Sequence, residues 1–191
     1  MFGYNAYYDQ TGLPHGMFMY QRIREWPLGF GNGCCIQQAQ EPLLEQITTS
    51  LMQKLGYYGI VDAEFKRDPR DGTFHFIEIN PRIWMQNSFP SRFGINHPLL
   101  AYLDAIGKPL DNQPPHNPDK NIKWVYLLED MQSAHANITS GELSLRTWIH
   151  TYNLRNEYAL FTWDDPLPFV VLGCRSIPTF LSTLLRRTSQ I

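Results

Sequence analysis

The sequence predicts an α+β fold: an antiparallel sheet with helices packed on one face, followed by a small, mostly helical C-terminal appendage. Three observations carry that prediction. Residues 60–82, IVDAEFKRDPRDGTFHFIEINPR, hold two stretches of alternating polarity around a polar connector, the signature of a hairpin with one apolar face. A similar pair, Asn5 to Tyr8 and Gly16 to Arg24, flanks Asp9-Gln10-Thr11-Gly12. Between the two pairs, Leu43, Leu44, Ile47, Leu51 and Leu55 recur at helical spacing.

At 191 residues and 43% hydrophobic content the chain can bury a sizeable core. Lys and Arg number 16 against 18 Asp and Glu, a formal net charge of -2, which offers no basic field for nucleic acid. Three cysteines, Cys34, Cys35 and Cys174, form no disulfide framework and no CxxC metal spacing, so a cytoplasmic location is expected. The N-terminus lacks a basic segment followed by a long apolar one, and no run reaches the roughly 18 apolar residues of a membrane span.

Along the chain, the first hairpin presents Arg22 and Arg24 on one strand face, two guanidinium groups suited to a triphosphate or a carboxylate. Gly29-Phe30-Gly31-Asn32-Gly33 lacks the spacing of a phosphate-binding loop and reads as a connector or lid. Pro42 in the first turn and Gly56 beyond the end delimit the helix. Trp84 to Arg92 reads as a loop. Asn96-His97-Pro98 then opens a helix over Leu99 to Ile106, with His97 as its cap or as the lining of an acceptor pocket. KPLDNQPPHNPDK, residues 108–120, marks an internal boundary. Beyond it a strand is expected over Ile122 to Leu128 and helices over Met131 to Asn137 and Leu143 to Tyr152. The ending FVVLGCRSIPTFLSTLLRR, apolar with a basic close, is read as packing on the core or a partner, with a membrane face as the alternative. The predicted units are residues 1–110 and 111–191.

Candidate chemistry concentrates in the second hairpin. If its turn pairs Lys66 with Phe74, Glu64 faces Phe76, Glu78 faces Asp62, and all three acids share a face. Like charges across a sheet repel, so such a cluster calls for a cation. Magnesium prefers carboxylates together with phosphate oxygens, and Asn80 adds a carbonyl on the same side. Arg82, just past Pro81, is placed to hold phosphate. Lys66 either pairs with Asp62 along the strand or faces water. HExxH, HxH and GxSxG patterns are all missing from the sequence, which sets aside zinc and serine-hydrolase chemistry.

EFKRDPRDG followed by FIEINPR resembles the metal-binding end of the ATP-grasp superfamily, with the carboxylate-amine ligase branch the nearest likeness. YQRIREWPLGFG and GINHPLLAYLDAIGKPL resemble flanking segments of that branch, and GELSL and WDDPLPF resemble its tail. The resemblance implies the C-terminal half of an ATP-grasp fold. It implies Glu64, Glu78 and Asn80 as ligands of Mg2+ (or Mn2+), and Lys66, Asn80 and Arg82 in contact with ATP. It further implies Arg82 and Arg24 as catalytic groups. The implied partners are ATP, a small carboxylate, an amine acceptor and an upstream lobe or partner chain supplying the rest of the nucleotide site. The implied reaction is ligation through an acyl phosphate; the alternative is a non-catalytic nucleotide- or metal-binding remnant or scaffold.

Overall fold

The computed structural model describes residues 1–110 and 121–174. Seven strands form one sheet: β1 (Phe2–Tyr8), β2 (Pro14–Trp26), β3 (Asn32–Gln38), β4 (Gly59–Arg67), β5 (Phe74–Asn80), β6 (Lys123–Val125) and β7 (Glu157–Tyr158). Their order across the sheet is β5-β4-β1-β2-β3-β6-β7, antiparallel except for the parallel β6–β7 contact. The α+β class is as the sequence predicts. Helices cover both faces, however, where one was expected.

The reason lies in β1, which is buried at every position. Phe2, Tyr4, Ala6 and Tyr8 point to one side, where helix α1 (Pro42–Leu55) sets Leu44, Thr48 and Met52 against them and against Val61, Ala63 and Phe65 of β4. Those three helix positions are four residues apart, one stripe of an amphipathic helix. Gly56 ends α1 in the left-handed region at φ 58°, its N–H bonded back to the last turn. On the other side lie Phe18, Tyr20, Ile36 and Trp124, covered by Phe89 of the short α2 (Ser88–Ser91) and by Phe93 and Ile95. There too Tyr7 donates to Asp104 of α3 (His97–Ala105) at 2.6 Å.

Gly29 to Gly31 form a turn joining β2 to β3, as a connector should. The strand beyond it was not expected: Gly33, Cys34, Cys35 and Ile36 are all buried, and a strand covered on both faces does not alternate. The cap of α3 is Asn96, whose side chain accepts from the Leu99 N–H at 3.0 Å. His97 is wholly buried instead, its Nε2 donating to the Gly16 carbonyl at 2.7 Å and its ring edge-on to Trp84.

The sheet also crosses the boundary expected at residue 110. β6 pairs with β3, and helix α4 (Leu127–Thr139) packs on β2 and β3. The helix expected over Leu143 to Tyr152 is confined to α5 (Leu145–Ile149). Most of the 108–120 boundary segment and of the apolar ending lies outside the described residues. No helix among the described residues is long and apolar enough to cross a membrane.

Candidate functional site

The second hairpin is present, but with a different register. Arg67 pairs with Phe74, Lys66 with His75 and Phe65 with Phe76; the pairing then slips by one, so that Glu64 faces Glu78 and Asp62 faces Asn80. The slip leaves Ile77 as the extra residue of a β-bulge. It separates side chains that strict alternation puts together. Phe74 and Phe76 go to the α1 side, edge-on to Phe2 and Phe65. Glu78 and Asn80 go to the opposite side, which carries Asp62 and Glu64.

That face is crowded with carboxylates. Asp62 is 2% exposed and accepts from Asn5 Nδ2 at 2.7 Å and from the Tyr20 hydroxyl at 3.4 Å. Burial pushes its carboxyl up to about 6, with the charge of Glu64 adding to the rise and Asn5, Arg22 and Arg82 opposing it. Gly3 makes the Tyr20 contact possible, because a Cβ there would lie 2.3 Å from the Tyr20 ring. Burial also raises the pKa of Glu64, against the pull of Arg22 and with Glu78 contributing to the rise. Glu64 accepts a hydrogen bond from Arg22 Nη2 across the intervening β1. On the exposed edge strand, Arg82 Nη2 donates to Asn80 Oδ1 at 3.4 Å, and Asn80 Nδ2 donates to Glu78 Oε1 at 3.0 Å.

Glu64, Glu78, Asn80 and Arg82 are thus brought together. Lys66 is exposed on the same strand and lines a cavity of about 510 Å³ with Arg22, Arg24, Glu25, Gly29 and Glu142. Arg24 is drawn elsewhere. The β2–β3 pairing is irregular between Arg22 and Glu25: Arg22 pairs with Ile36 and Arg24 with its neighbour Cys35, so the two guanidiniums leave the sheet on opposite sides. Arg24 Nε and Nη2 donate to the two oxygens of the fully buried Asp130 at 2.6 and 3.1 Å, and Nη1 donates to Thr151. Asp130 also accepts from Trp148 Nε1 and the Tyr152 hydroxyl.

The sequence pairs Arg22 with Arg24 as guanidiniums for a triphosphate or a carboxylate, but singles out only Arg24 as catalytic and does not tie Arg22 to the acidic face. Its role depends on the register, which pattern did not supply. A larger cavity, about 640 Å³, lies beside β7 and is lined by Arg92, Phe161, Trp163 and Phe169; it includes none of the predicted site residues. Burial pushes the Cys34 thiol up and that of Cys35 to about 12, so neither is a ready nucleophile.

Among the described residues no three His, Cys, Asp or Glu side chains are gathered as a ready metal cage. Glu64, Glu78 and Asn80 present two carboxylates and an amide oxygen. This hard, incomplete oxygen set fits an ion that keeps waters and takes phosphate oxygens to fill its shell.

The hairpin lies within the part of the chain that is similar to known proteins. Residues 33–96 match the family described as the carbamoyl-phosphate synthase L chain, ATP binding domain, and that span contains Glu64, Glu78, Asn80 and Arg82. Over that span the chain is similar to the ATP-grasp superfamily. It is similar to the D-aspartate ligase of Enterococcus faecium (strain Aus0004), with 27% identity over 104 residues, which are 53% of this chain and 25% of that protein. The matched part is therefore about a quarter of the relative's length. Among solved structures, the pyruvate carboxylase of Rhizobium etli with the allosteric activator acetyl coenzyme-A gives a TM-score of 0.48 at 18% identity, covering 64% of this chain and 13% of that one.

Proposed function

We propose that the chain is the metal-bearing lobe of an ATP- and magnesium-dependent carboxylate-amine ligase, completed by a further lobe that supplies the rest of the nucleotide site. The observation that carries this reading is the facing pair Glu64 and Glu78, with Asn80 and Arg82 on the same edge. Two carboxylates directly opposed on neighbouring strands are unfavourable by themselves. A site that binds a cation makes use of that repulsion.

In this reading Glu64, Glu78 and Asn80 hold magnesium, which when bound neutralises charge on phosphate oxygens. Arg82, exposed beside Asn80, contacts the transferring phosphoryl group, and Lys66 reaches the nucleotide from the adjoining cavity. Arg24 acts through position: its bond to Asp130 fixes the strand that carries Arg22. A substrate carboxylate oxygen attacks the γ-phosphorus of ATP and ADP leaves. An amine nitrogen then attacks the acyl phosphate, releasing phosphate and a proton and leaving the C–N bond. The part played by this chain is to orient the phosphates and stabilise charge on the group in transfer.

The test is a titration of the purified chain with ATP, with and without magnesium, followed by calorimetry. Magnesium-dependent, saturable binding is expected in the wild type, and its loss in Glu78→Ala. Retention of that binding in Glu78→Ala overturns the site.

A further inference from the structure

Arg22 differs from an ordinary structural arginine in three respects. One end of its guanidinium, Nη2, is bonded to Glu64, a proposed metal ligand. The other end, Nη1, has its own partners: it donates to the Gly31 carbonyl at 3.2 Å and lies 3.8 Å from Glu25 Oε2. The side chain also borders the 510 Å³ cavity that Lys66 lines. Losing Glu64 therefore neither strands the guanidinium nor leaves it without space.

The surroundings keep that path open. Gly33 has no Cβ where one would come within 3.1 Å of Arg22 Cγ and 3.4 Å of Cδ. Gly3 faces Glu64 on the intervening strand, but the Tyr20 ring occupies the space its Cβ would take, so the opening lies on the Gly33 side. Three carboxylates, Asp62, Glu64 and Glu78, share the face, and Glu64 is the one that Arg22 neutralises. A divalent cation at Glu64 and a guanidinium on the same carboxylate repel each other, so the two are alternatives there.

Resting on the ligase reading above, we propose that Arg22 is the exchangeable counter-ion of the metal site. It neutralises Glu64 while no metal is bound; a divalent cation displaces it toward the cavity, where with Lys66 it binds an oxyanion of the ligand. The exchange keeps the acidic face compensated in both states. It also makes metal loading a precondition for a free arginine beside the phosphate path.

The test uses Mn2+ alone, with the free ion read by electron paramagnetic resonance, on wild type, Arg22→Gln, Arg22→Lys and Lys66→Gln. Thermal melting confirms that each is folded. Arg22→Gln is expected to tighten Mn2+ by about tenfold or more, because its competitor is gone. Lys66→Gln removes the same charge without touching Glu64 and is expected to tighten Mn2+ by less than about threefold. Arg22→Lys, which keeps a cation but not the two-ended fork, should fall between them. In the presence of Mn2+, inorganic tripolyphosphate should bind more weakly to Arg22→Gln than to wild type. Succinate, tested alongside, shows whether carboxylates use the same guanidinium.

Unchanged or weaker Mn2+ binding in Arg22→Gln overturns the exchange, as does equal tightening in Lys66→Gln. Undiminished binding of both anions overturns the role of the released guanidinium. Failure of Mn2+ to bind any of the four forms brings down the metal reading itself, and the exchange with it. Loss of Mn2+ binding in Glu78→Gln, with binding retained in wild type, shows that the metal reading stands independently of Arg22.

Discussion

At the scale of single residues, burial decides charge state. His97 is enclosed and donates from Nε2 to a carbonyl, while its Nδ1 has no partner. Burial therefore holds it neutral and pulls its pKa down to about 4, with the Gly16 bond opposing. In the unfolded chain an imidazole titrates near 6.5. Between those values the unfolded state binds the extra proton, so His97 contributes stability that is complete above about pH 6.5 and is lost as pH falls toward 4. The window is worth at most roughly 3 kcal/mol. His97→Gln keeps a donor for Gly16 and removes the titration. The urea midpoint of the wild type should fall more steeply than that of the variant between pH 7 and pH 5; parallel slopes would contradict the buried neutral imidazole. Raised carboxyls such as Asp62 tilt the other way, since there the native state holds the proton longer, and comparing slopes cancels that background.

At the scale of elements, the sequence shows a strand wherever one face is wet and conceals it elsewhere. The β4–β5 hairpin was legible from Asp62, Glu64 and Lys66 alternating with Val61, Ala63 and Phe65, and from the Pro-Gly turn. Its register was not, because the bulge at Ile77 depends on Phe74 and Phe76 finding Phe2 and Phe65 on the α1 side, and Phe2 is distant in sequence. The candidate ligands Glu64, Glu78 and Asn80 were named on residue type and order, which a slip of register leaves intact. Arg22 was paired with Arg24 and not with Glu64, because that tie spans a strand. β3 was hidden because Gly33 to Ile36 are buried without alternation. At the start of α3 the local signal was present but shared between neighbours: Asn96 caps, and His97 turns inward. Asn96→Ala should cost about 1 kcal/mol in urea denaturation, the usual worth of such a cap. A change below a few tenths would show that Pro98 alone sets the helix start.

At the scale of the molecule, the Pro- and Asn-rich run suggested a core and an appendage. The contacts join what precedes and follows it. β6 extends the sheet from β3, and Asp130 of α4 takes both ends of the Arg24 fork from β2 while also accepting from Trp148 and Tyr152. Removing one member of a buried ion pair leaves the other charge unpaired, at a typical cost of 3–5 kcal/mol. Asp130→Ala should lower the unfolding midpoint accordingly, with tryptophan fluorescence and far-ultraviolet circular dichroism tracing one coincident transition. Two separated transitions would restore the appendage as an independent unit. This long-range union could not be read from a pattern, because Arg24 and Asp130 are 106 positions apart.

The irregular stretch of β2 and β3 also bears on how related sequences should be compared. Ile23 and Cys34 are one surplus residue on each strand, and they cancel: the Arg22–Ile36 and Glu25–Gly33 pairings belong to the same register. A lineage that lost both would bring the two arginines side by side and still send one to Glu64 and the other to Asp130. One intervening residue between the arginines, or none, is thus compatible with the same two destinations. A search requiring fixed spacing would discard true counterparts, and one that follows the side of the sheet each arginine leaves from would keep them.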